Sequence, residues 1–254
     1  MKLSVITVVY NNSKTIESTI QSVLGQSYND VEYIIIDGAS NDGTINVIQP
    51  FEEKISAIVS EPDKGMYDAM NKGIRLASGD AVGLLHADDI YADNKVLEKV
   101  ATVLTDDEVD ACYGDLVYVS EDDLDKIVRY WKSDTFIQGM FAKGWCPPHP
   151  TFFVKSKIYR KFGLYDLSYP IANDVELMMR YLEKFKIRTS YIPEILVKMR
   201  IGGVSNNSMR NIIWQNQQIL KAAKNNSVPI NTIGFIWHKL ASRLSQYHSR
   251  PSNV

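Results

Sequence analysis

Two apolar segments of the chain end in carboxylates. Residues 34–36 (Ile-Ile-Ile) run directly into Asp37, and residues 81–85 are followed closely by Asp88 and Asp89. Ligands of open α/β sheets bind beyond the carboxyl ends of the strands, so we expect these acids to converge on one cleft. Carboxylates there can accept hydrogen bonds, bind a divalent cation or take up a proton. Each turn also has a structural interpretation, an Asx turn for Asp37 and a solvated turn or helix cap for the pair.

Two further residues with useful chemistry lie in the second half of the chain. His149 belongs to segment 145–151, where three prolines fix the backbone. We expect it either to contact a substrate or to stiffen this loop through a hydrogen bond. Asp174 precedes apolar residues at helical spacing, which places it at a helix start. It can act there as a general base or as an N-cap, and Asn173 can supply the cap instead.

The elements that must position these residues alternate between strands and helices. Helical spacing continues after the first strand as far as Gly25 and returns over residues 66–77. This alternation predicts an α/β fold with a mainly parallel sheet. The pattern loosens from residue 121, and the polar run 120–125 predicts a loop or a hairpin tip. The predicted strands cover residues 3–9, 31–36, 55–59 and 81–85.

Composition places the chain among ordinary globular proteins. Of 254 residues, 45% are hydrophobic and 23% are charged, which is typical of one large α/β domain, alone or with an appendage. Cys112 and Cys146 are far apart and lack metal-ligand spacing, which indicates a reducing compartment. The first strand is too short for a signal peptide or a membrane span. We therefore expect a cytoplasmic protein.

The residues just after the first two strands disfavour two enzyme classes. A nicotinamide-dependent Rossmann enzyme needs G-x-G-x-x-G after its first strand, and residues 10–13 (Tyr-Asn-Asn-Ser) contain no glycine. A phosphatase of the haloacid dehalogenase type carries its nucleophilic aspartate after the first strand. Asp37 comes after the second strand and has no acid two residues later, so this class is disfavoured as well.

Charge is distributed unevenly along the chain. Residues 195–254 contain eight Lys or Arg and no Asp or Glu, whereas residues 1–194 carry a net charge of −10. Helical apolar spacing in the basic segment predicts an amphipathic helix that packs on the main domain, docks on an anionic membrane face or binds a protein partner. The acidic body disfavours nucleic acid. The apolar stripe consists of Ile230, Ile233, Ile236, Trp237, Leu240, Leu244 and Tyr247.

Taken in order, the motifs resemble those of the family 2 glycosyltransferases, most of all bacterial enzymes that build O-antigen, capsule or colanic-acid-type polysaccharide. The resemblance implies the GT-A fold, a Rossmann-like three-layer α/β/α domain with a mainly parallel sheet, over residues 1–205. Residues 206–254 would form a basic amphipathic helical appendage. The matching motifs are residues 4–11 (SVITVVYN), the Asp37 turn, residues 61–73 (EPDKGMYDAMNKG), Asp88-Asp89, Asn173-Asp174 and residues 202–205 (GGVS).

The resemblance implies a site for a nucleotide-sugar. Asp37 matches the family acid that accepts a hydrogen bond from the base, and Thr7 and Tyr10 would flank the nucleotide. Asp88 would contact the ribose, and Asp89 would bind a divalent ion, Mg²⁺ or Mn²⁺, that bridges the two phosphates.

Three neighbouring positions complete the expected donor side. Lys64 and Asn71 lie near the start of the predicted helix 66–77, where backbone N–H groups favour anions. Both are expected to face the donor, although a solvated lysine is an equal interpretation for Lys64. His86 departs from the family pattern, because many relatives carry Asp or Asn there, and it leaves the strength of metal binding open.

On the acceptor side, the resemblance makes Asp174 the catalytic base of a single in-line displacement with inversion. His149 and Arg200 would contact the acceptor or the diphosphate, and Gly202-Gly203 would form a lid or a simple turn. The implied donor carries UDP first, with GDP or dTDP as alternatives. The implied acceptor is a growing cell-surface glycan, expected to be lipid-linked and at the cytoplasmic face of the membrane. An oligomer is compatible with the sequence, and a catalytically idle homologue or scaffold is the alternative.

Overall fold

The computed structural model describes residues 1–201 and 209–248. Its first half has the alternation predicted from the sequence. The strands are β1 (Leu3–Val9), β2 (Val31–Asp37), β3 (Ala57–Ser60) and β4 (Ala81–Leu84). They lie parallel in the order β3-β2-β1-β4. The helices that connect or follow them are α1 (Ile16–Leu24), α2 (Thr44–Ile48) with a 3₁₀ extension (Gln49–Lys54), α3 (Met66–Leu76) and α4 (Val96–Leu104).

The register of these strands brings the predicted acidic turns to the same edge. Val9 at the end of β1 pairs with Asp37 at the end of β2, which in turn pairs with Ser60 at the end of β3. On the other side of β1, Ile6 pairs with Leu84. Since all four strands run in the same direction, their carboxyl ends form one continuous rim, as the sequence predicted.

The second half extends this sheet with strands of both directions. The added strands are β5 (Asp89–Tyr91), β6 (Ala111–Val119), β7 (Ile127–Trp131), β8 (Phe153–Lys155) and β9 (Thr189–Arg200). β8 is antiparallel to both β4 and β6, β9 is parallel to β6, and β5 and β7 form antiparallel pairs with β9 and β6. The polar run 120–125 forms the tip of the β6–β7 hairpin, one of the two predicted alternatives.

Alternating residues of the central strands face two separate cores, because neighbouring side chains of a strand point to opposite faces. Ile6 of β1 and Ile34 of β2 belong to the core beneath α3, whereas Val5 and Ile35 belong to the core beneath α1 and α4. Helices therefore cover both faces of the sheet, and the three-layer α/β/α architecture is confirmed.

α3 approaches the sheet very closely at Gly73. A Cβ atom added there would lie 2.5 Å from Cγ2 of Ile6, so any side chain would push α3 away from β1. The glycine thereby keeps the beginning of α3 close to the rim that carries the acids.

The remaining helices pack on the core that α3 covers. Ile219, Ala223 and Val228 of the C-terminal region join this core, together with Phe235. None of the helices within residues 1–201 and 209–248 combines the length and hydropathy needed to cross a bilayer. These helices are α5 (Ser156–Phe162), α6 (Asn173–Met179) with a π-helical turn (Arg180–Lys184), α7 (Met209–Asn225) and α8 (Thr232–His248).

The predicted amphipathic helix is present as α8, and two residues of its predicted apolar stripe are exposed. Phe235, which lies outside the predicted stripe, is buried, whereas Ile236 and Trp237 are exposed, Trp237 by 72%. Ile230, just before α8, is partly buried against the core. The side chains of Ile233, Leu240, Leu244 and Tyr247 lie outside the described set, as do residues Gly202-Gly203 of the predicted lid.

Candidate glycosyl-transfer site

The Asp37 turn is held together by the carboxylate of Asp37 itself. The side chain is fully buried, and Oδ2 accepts hydrogen bonds from the backbone N–H of Ser40 (3.0 Å) and the hydroxyl of Ser60 (2.6 Å). Oδ1 accepts a third from the Ser40 hydroxyl. Because most acceptor positions of this carboxylate are used, the turn-closing interpretation has direct structural support. A nucleotide base would have to donate its hydrogen bond to the acceptor position of Asp37 that remains free.

Tyr10 and Thr7 differ in where β1 places them. Tyr10 lies just after the end of β1 and is 65% exposed. Its ring stands beside Gly38, and a Cβ atom added to Gly38 would lie 3.3 Å from Cδ2 of Tyr10 and 3.0 Å from Oδ2 of Asp63. Thr7 is fully buried within β1, and its hydroxyl shares a 3.1 Å hydrogen bond with that of Tyr33. Tyr10 is therefore available to a ligand, whereas Thr7 supports the strand from inside the core.

The loop before α3 is held by Lys72, a residue that sequence reasoning did not single out. Its ammonium group lies 2.6 Å from a carboxylate oxygen of Asp63 and 2.9 Å from one of Glu61. Hydrogen bonds to Asp63 and Glu61 raise the pKa of Lys72. Lys64 in this loop is exposed, in agreement with either of its two interpretations. Lys72 follows Asp63 and Glu61 by nine and eleven residues across the start of α3, a separation that gave no local signal of this contact.

The two acids after β4 are placed very differently. Asp88 is partly exposed, whereas Asp89 is fully buried at the start of β5 and neither of its carboxylate oxygens has a hydrogen-bond partner among the described residues. Burial raises the pKa of Asp89 well above its usual range, the charge of Asp88 raises it further, and Arg200 opposes both effects. The accessible member of the pair is thus Asp88, and not Asp89, the acid to which the sequence assigned the metal.

Arg200 supports this acidic turn from below. The side chain is buried, and its guanidinium group donates hydrogen bonds to the backbone carbonyl of Asp88 (2.7 Å) and to the hydroxyl of Ser18 (2.9 Å). The sequence predicted that Arg200 contacts the acceptor or the diphosphate. In the structure Arg200 lies between α1 and the turn and fixes the backbone of Asp88, and its contact with a substrate stays a prediction.

Two histidines link the acidic turn to the start of α6. The ring centroids of His86 and His149 lie 5.9 Å apart. Burial lowers the pKa of His86, and the nearby carboxylates of Asp88 and Asp174 oppose this effect. Burial also lowers the pKa of His149, to about 4, against the opposing charge of Asp174 and with a smaller further lowering from His86. Both imidazoles are therefore neutral at pH 7, and the carboxylates that act on them are Asp88, in the turn after β4, and Asp174, at the start of α6.

Asp174 lies in the first turn of α6 and is only partly buried. The hydroxyl of Tyr67 donates a hydrogen bond to its Oδ1 at 3.2 Å and accepts one from the backbone N–H of Asn173 at 3.3 Å. The amide of Asn173 donates to the carbonyls of Asp166 and Tyr169, so it ties the preceding loop to the helix start. No hydrogen bond to Oδ2 of Asp174 is found among the described residues, which leaves that oxygen for a substrate hydroxyl.

Asn71 has a different place from the one expected of it. Its amide donates to the carbonyl of Tyr165 (2.9 Å) and accepts from the N–H of the same residue (3.0 Å), and the side chain is buried. Both the nitrogen and the oxygen of the Asn71 amide are hydrogen-bonded to the backbone of Tyr165, so Asn71 holds Tyr165 in place. The hydroxyl of Tyr165 is in turn hydrogen-bonded to Nε2 of His149 at 2.6 Å.

With this geometry established, comparison with known proteins decides the family. The sequence pattern described as Glycosyl transferase family 2 matches residues 4–167, which is more than half of the chain. The chain belongs to glycosyl transferase family 2. It is therefore a glycosyltransferase, as the order of its motifs suggested.

Several relatives of this glycosyltransferase are known from their sequences. An uncharacterised glycosyltransferase of Mycobacterium tuberculosis is 34% identical over 181 residues, which cover 70% of this chain and 68% of the relative. The UDP-Glc:alpha-D-GlcNAc-diphosphoundecaprenol beta-1,3-glucosyltransferase WfaP of Escherichia coli is 26% identical over 233 residues, 87% of this chain and 86% of WfaP.

Solved structures establish the fold. The mannosyltransferase PcManGT of Pyrobaculum calidifontis, solved in complex with GDP-Man and Mn²⁺, superposes with a TM-score of 0.66 at 17% identity, over 96% of this chain and 73% of PcManGT. TarS 1–349 of S. aureus in complex with UDP gives a TM-score of 0.63 at 16% identity, over 100% of this chain and 74% of that chain. At such identities the likeness concerns the fold, and it confirms the GT-A architecture.

The acidic turn of the glycosyltransferase fits a divalent cation held jointly with a substrate. Within residues 1–201 and 209–248 no three His, Cys, Asp or Glu side chains form a metal cage. Mg²⁺ is commonly bound through one or two carboxylates together with substrate phosphates. Asp88 presents one partly exposed carboxylate at the rim, and phosphate oxygens of the substrate would complete the coordination. These hard oxygen donors suit Mg²⁺ or Mn²⁺.

Proposed function

We propose that this glycosyltransferase is an inverting, metal-dependent enzyme that moves a sugar from a nucleoside-diphosphate sugar to a hydroxyl of a growing cell-surface glycan. The observation that carries this proposal is a chain of contacts from the Asp88 turn to Asp174. The rings of His86 and His149 lie 5.9 Å apart, His149 is hydrogen-bonded to Tyr165, and Tyr165 stacks on Tyr67, which donates to Asp174. A leaving diphosphate beside Asp88 and an acceptor hydroxyl beside Asp174 would then approach one sugar from opposite sides, which is the geometry of a single displacement.

The residues of the chain divide the work between donor and acceptor. Asp88 would hold the cation, and the exposed ring of Tyr10 would stack on the nucleotide base. When bound, the cation supplies positive charge to the departing diphosphate. Lys64 faces solvent at the start of α3, where it can reach the same anion. His149, neutral and aligned by Tyr165, is suited to donate or accept a hydrogen bond at the acceptor or the diphosphate.

Asp174 would be the general base. Its Oδ1 is held by Tyr67, so the acceptor hydroxyl is assigned to Oδ2. The carboxylate accepts the proton while the hydroxyl oxygen forms its bond to the anomeric carbon. The bond between the anomeric carbon and the diphosphate oxygen breaks in the same step, and the diphosphate leaves from the opposite side. The anomeric configuration therefore inverts, and no covalent nucleophile is required.

The donor and acceptor classes rest on the relatives. UDP is the first choice for the nucleotide, supported by the UDP complex of TarS and the UDP-Glc substrate in the name of WfaP, and GDP or dTDP are alternatives. The diphosphoundecaprenol acceptor in the name of WfaP supports a lipid-linked acceptor. Mn²⁺ in the PcManGT complex supports a divalent cation.

A lipid-linked acceptor would bring the enzyme to the cytoplasmic face of a membrane, and α8 supports this location. Ile236 and Trp237 are exposed on α8, and Arg210 and Lys224 lie on α7. Aromatic and basic side chains of this kind favour the interface of anionic bilayers.

The full chain should co-sediment with vesicles that contain phosphatidylglycerol. Trp237→Ala should weaken binding, whereas Leu76→Ala, an equally apolar change on α3, should not; self-association through this face would contradict the proposal.

Thermal shift measurements test the donor site directly. UDP, GDP, dTDP and CMP are each added with Mn²⁺, Mg²⁺ or EDTA, because a ligand that binds only the folded state raises its apparent stability. A shift for one diphosphate that requires the metal is the expected result. Hydrolysis or transfer of the matching sugar then separates an enzyme from an idle homologue, which would show the shift without turnover.

A further inference from the structure

Tyr67 and Asn71 lie four residues apart on α3, so they project from the same face of that helix. This face is turned toward the segment 165–174, which lies about 100 residues later in the sequence. Tyr67 contacts Asp174, and Asn71 contacts Tyr165. One helix therefore meets both ends of the loop that leads into the candidate base.

The hydrogen bonds of the Tyr67 hydroxyl have a defined direction. The oxygen accepts the N–H of Asn173 at 3.3 Å, so its own proton points elsewhere, toward Oδ1 of Asp174 at 3.2 Å. Burial raises the pKa of Tyr67 well above its usual range, and the charge of Asp174 adds to this effect. The phenol thus keeps its proton and acts as a donor to the carboxylate.

The ring of Tyr67 is fixed by its neighbours. It stacks on Tyr165 with a centroid distance of 5.5 Å. The backbone of Tyr165 is held by two hydrogen bonds with Asn71, and its hydroxyl by His149. A tyrosine has only two side-chain torsions before its hydroxyl, so this stack leaves the donor little freedom to move away from Asp174.

We propose that Tyr67 is a positioning residue for the transfer reaction, which holds the Asp174 carboxylate through Oδ1 and so presents Oδ2 to the acceptor hydroxyl. The inference rests on the proposed function of Asp174. A general base must lie within hydrogen-bond reach of the proton it removes, and a half-exposed aspartate in the first turn of a helix can rotate about its side-chain torsions. The bond from Tyr67 selects one of these orientations and stabilises the ionised carboxylate.

The test compares Tyr67→Phe with the wild type and with Tyr28→Phe. Tyr28→Phe also removes a tyrosine hydroxyl that is bonded to the fold, through the carbonyl of Met1. That contact lies before the amino ends of β1 and β2, at the opposite edge of the sheet from the acidic rim. We expect Tyr67→Phe to lower kcat by about 10- to 100-fold, as for one lost hydrogen bond to a charged group. The metal-dependent thermal shift with diphosphate and the KM for the donor should remain unchanged. Tyr28→Phe should keep the wild-type kcat.

The pH profile provides a readout that a merely structural role would not move. Without the Tyr67 donor the ionised carboxylate is less stable, so the acidic limb of kcat/KM should shift to higher pH. The other titratable groups that face Asp174 are Cys146, His149, Tyr165 and His86. Burial raises the pKa of Tyr165 and Cys146, so these groups stay neutral across this limb, whereas it lowers that of His149 to about 4 and also lowers that of His86. Because the two histidines are present in both proteins, the readout is the shift of the limb in Tyr67→Phe relative to the wild type.

The outcomes separate this inference from the proposed function. Wild-type protein that transfers no sugar from any donor, or Asp174→Asn with full activity, would overturn the proposed function. An inactive Asp174→Asn together with a Tyr67→Phe that retains wild-type kcat and the same pH profile would overturn the positioning role alone. If Tyr67→Phe lost its fold by circular dichroism, Tyr67→His, which restores a donor on a smaller ring, would have to recover kcat above Tyr67→Leu, and equal rates would refute the inference.

Discussion

The carboxylates of Asp37 and Asp174 both lie near the rim of the sheet, but their hydrogen bonding differs. Asp37 is fully buried and accepts three hydrogen bonds from Ser40 and Ser60. Asp174 is half-exposed and accepts one from Tyr67 among the described side chains. A carboxylate has about four acceptor positions. The comparison shows that an aspartate closes a turn when most of its acceptor positions are occupied by the fold. The same side chain remains available for chemistry when one of its oxygens has no partner.

The largest effect on activity is expected at Asp174, whose carboxylate accepts only one hydrogen bond among the described side chains. Asp174→Asn keeps the size of the side chain and removes the base, so kcat should fall by about 100- to 10,000-fold. Donor binding, measured by thermal shift with diphosphate and metal, should remain. Asp107→Asn, a change at an exposed acid away from the site, is the matched control. Loss of donor binding in Asp174→Asn would mean that this acid belongs to the donor side.

The acidic pair after β4 sharpens the comparison, since its two members differ in exposure. Asp88→Asn should abolish the metal-dependent part of the diphosphate thermal shift, because the half-exposed carboxylate would lose its charge. Asp89→Asn should retain most of it, since burial already favours the protonated form of Asp89 and an amide has nearly the same shape. Titration of Mn²⁺ in the presence of UDP or GDP measures both. The reverse order would return the metal contact to Asp89, as the sequence predicted.

Substitution of Asp37, which accepts three hydrogen bonds, should lower the stability of the fold more than it lowers the rate of catalysis. Asp37→Ala removes the acceptor of three hydrogen bonds and leaves the N–H of Ser40 unpaired in a buried turn. We expect the free energy of unfolding to fall by about 2–3 kcal/mol, measured by urea denaturation. Asp37→Asn keeps one acceptor oxygen and should lose less. Wild-type stability in Asp37→Ala, with weakened nucleotide binding, would show that its carboxylate serves the ligand instead of the turn.

Glu32 is a second saturated carboxylate, at the start of β2 and far from the rim. Burial raises its pKa, but hydrogen bonds from Ser4, Ser78 and Lys2 outweigh this effect and lower the pKa to about 2. A lowered pKa in the folded state contributes stability above the unfolded value, and this stability is lost as the pH falls toward 2. Because Glu32 is near the surface, Glu32→Gln should cost only about 1 kcal/mol at pH 7.

The pH dependence distinguishes this contribution from a general weakening of the fold. The difference in stability between wild type and Glu32→Gln should shrink as the pH falls from about 4 toward 2, since Glu32 gains a proton near its folded-state pKa of about 2 and both side chains are neutral below it. Activity per folded molecule should be unchanged at pH 7. A difference in stability that stays the same from pH 7 to pH 2 would assign the effect to packing.

Several parts of the fold were predictable because they depend on neighbours in the sequence. Strand β1 and helix α3 were predicted within one residue at each end, since apolar periodicity and flanking glycines are local signals. The convergence of the Asp37 and Asp88 turns was also predictable, because parallel strands end at one edge. The choice between Asp88 and Asp89 could not be predicted, since it depends on the pairing of β5 with β9 more than 100 residues away.

The sequence left the partner of the α8 apolar stripe open for a related reason. Periodicity identifies an apolar stripe but not its partner. α8 contacts the turn at Gly144, where a Cβ atom would lie 3.3 Å from Lys239, and the close approach selects the face with Phe235. Ile236 and Trp237 are left exposed as a consequence.

The sequence by itself determined the family, the α/β alternation and the set of acids from which the site is built, because strand periodicity, turn residues and motif order are written along the chain. Only the tertiary structure decided which groups those acids meet. Asn71 and Arg200 became supports when their polar atoms met Tyr165 and the Asp88 turn, and Tyr67 became the partner of Asp174 across 107 residues. Hydrogen-bond partners at such separations are set by strand order and helix packing, and no local pattern encodes them.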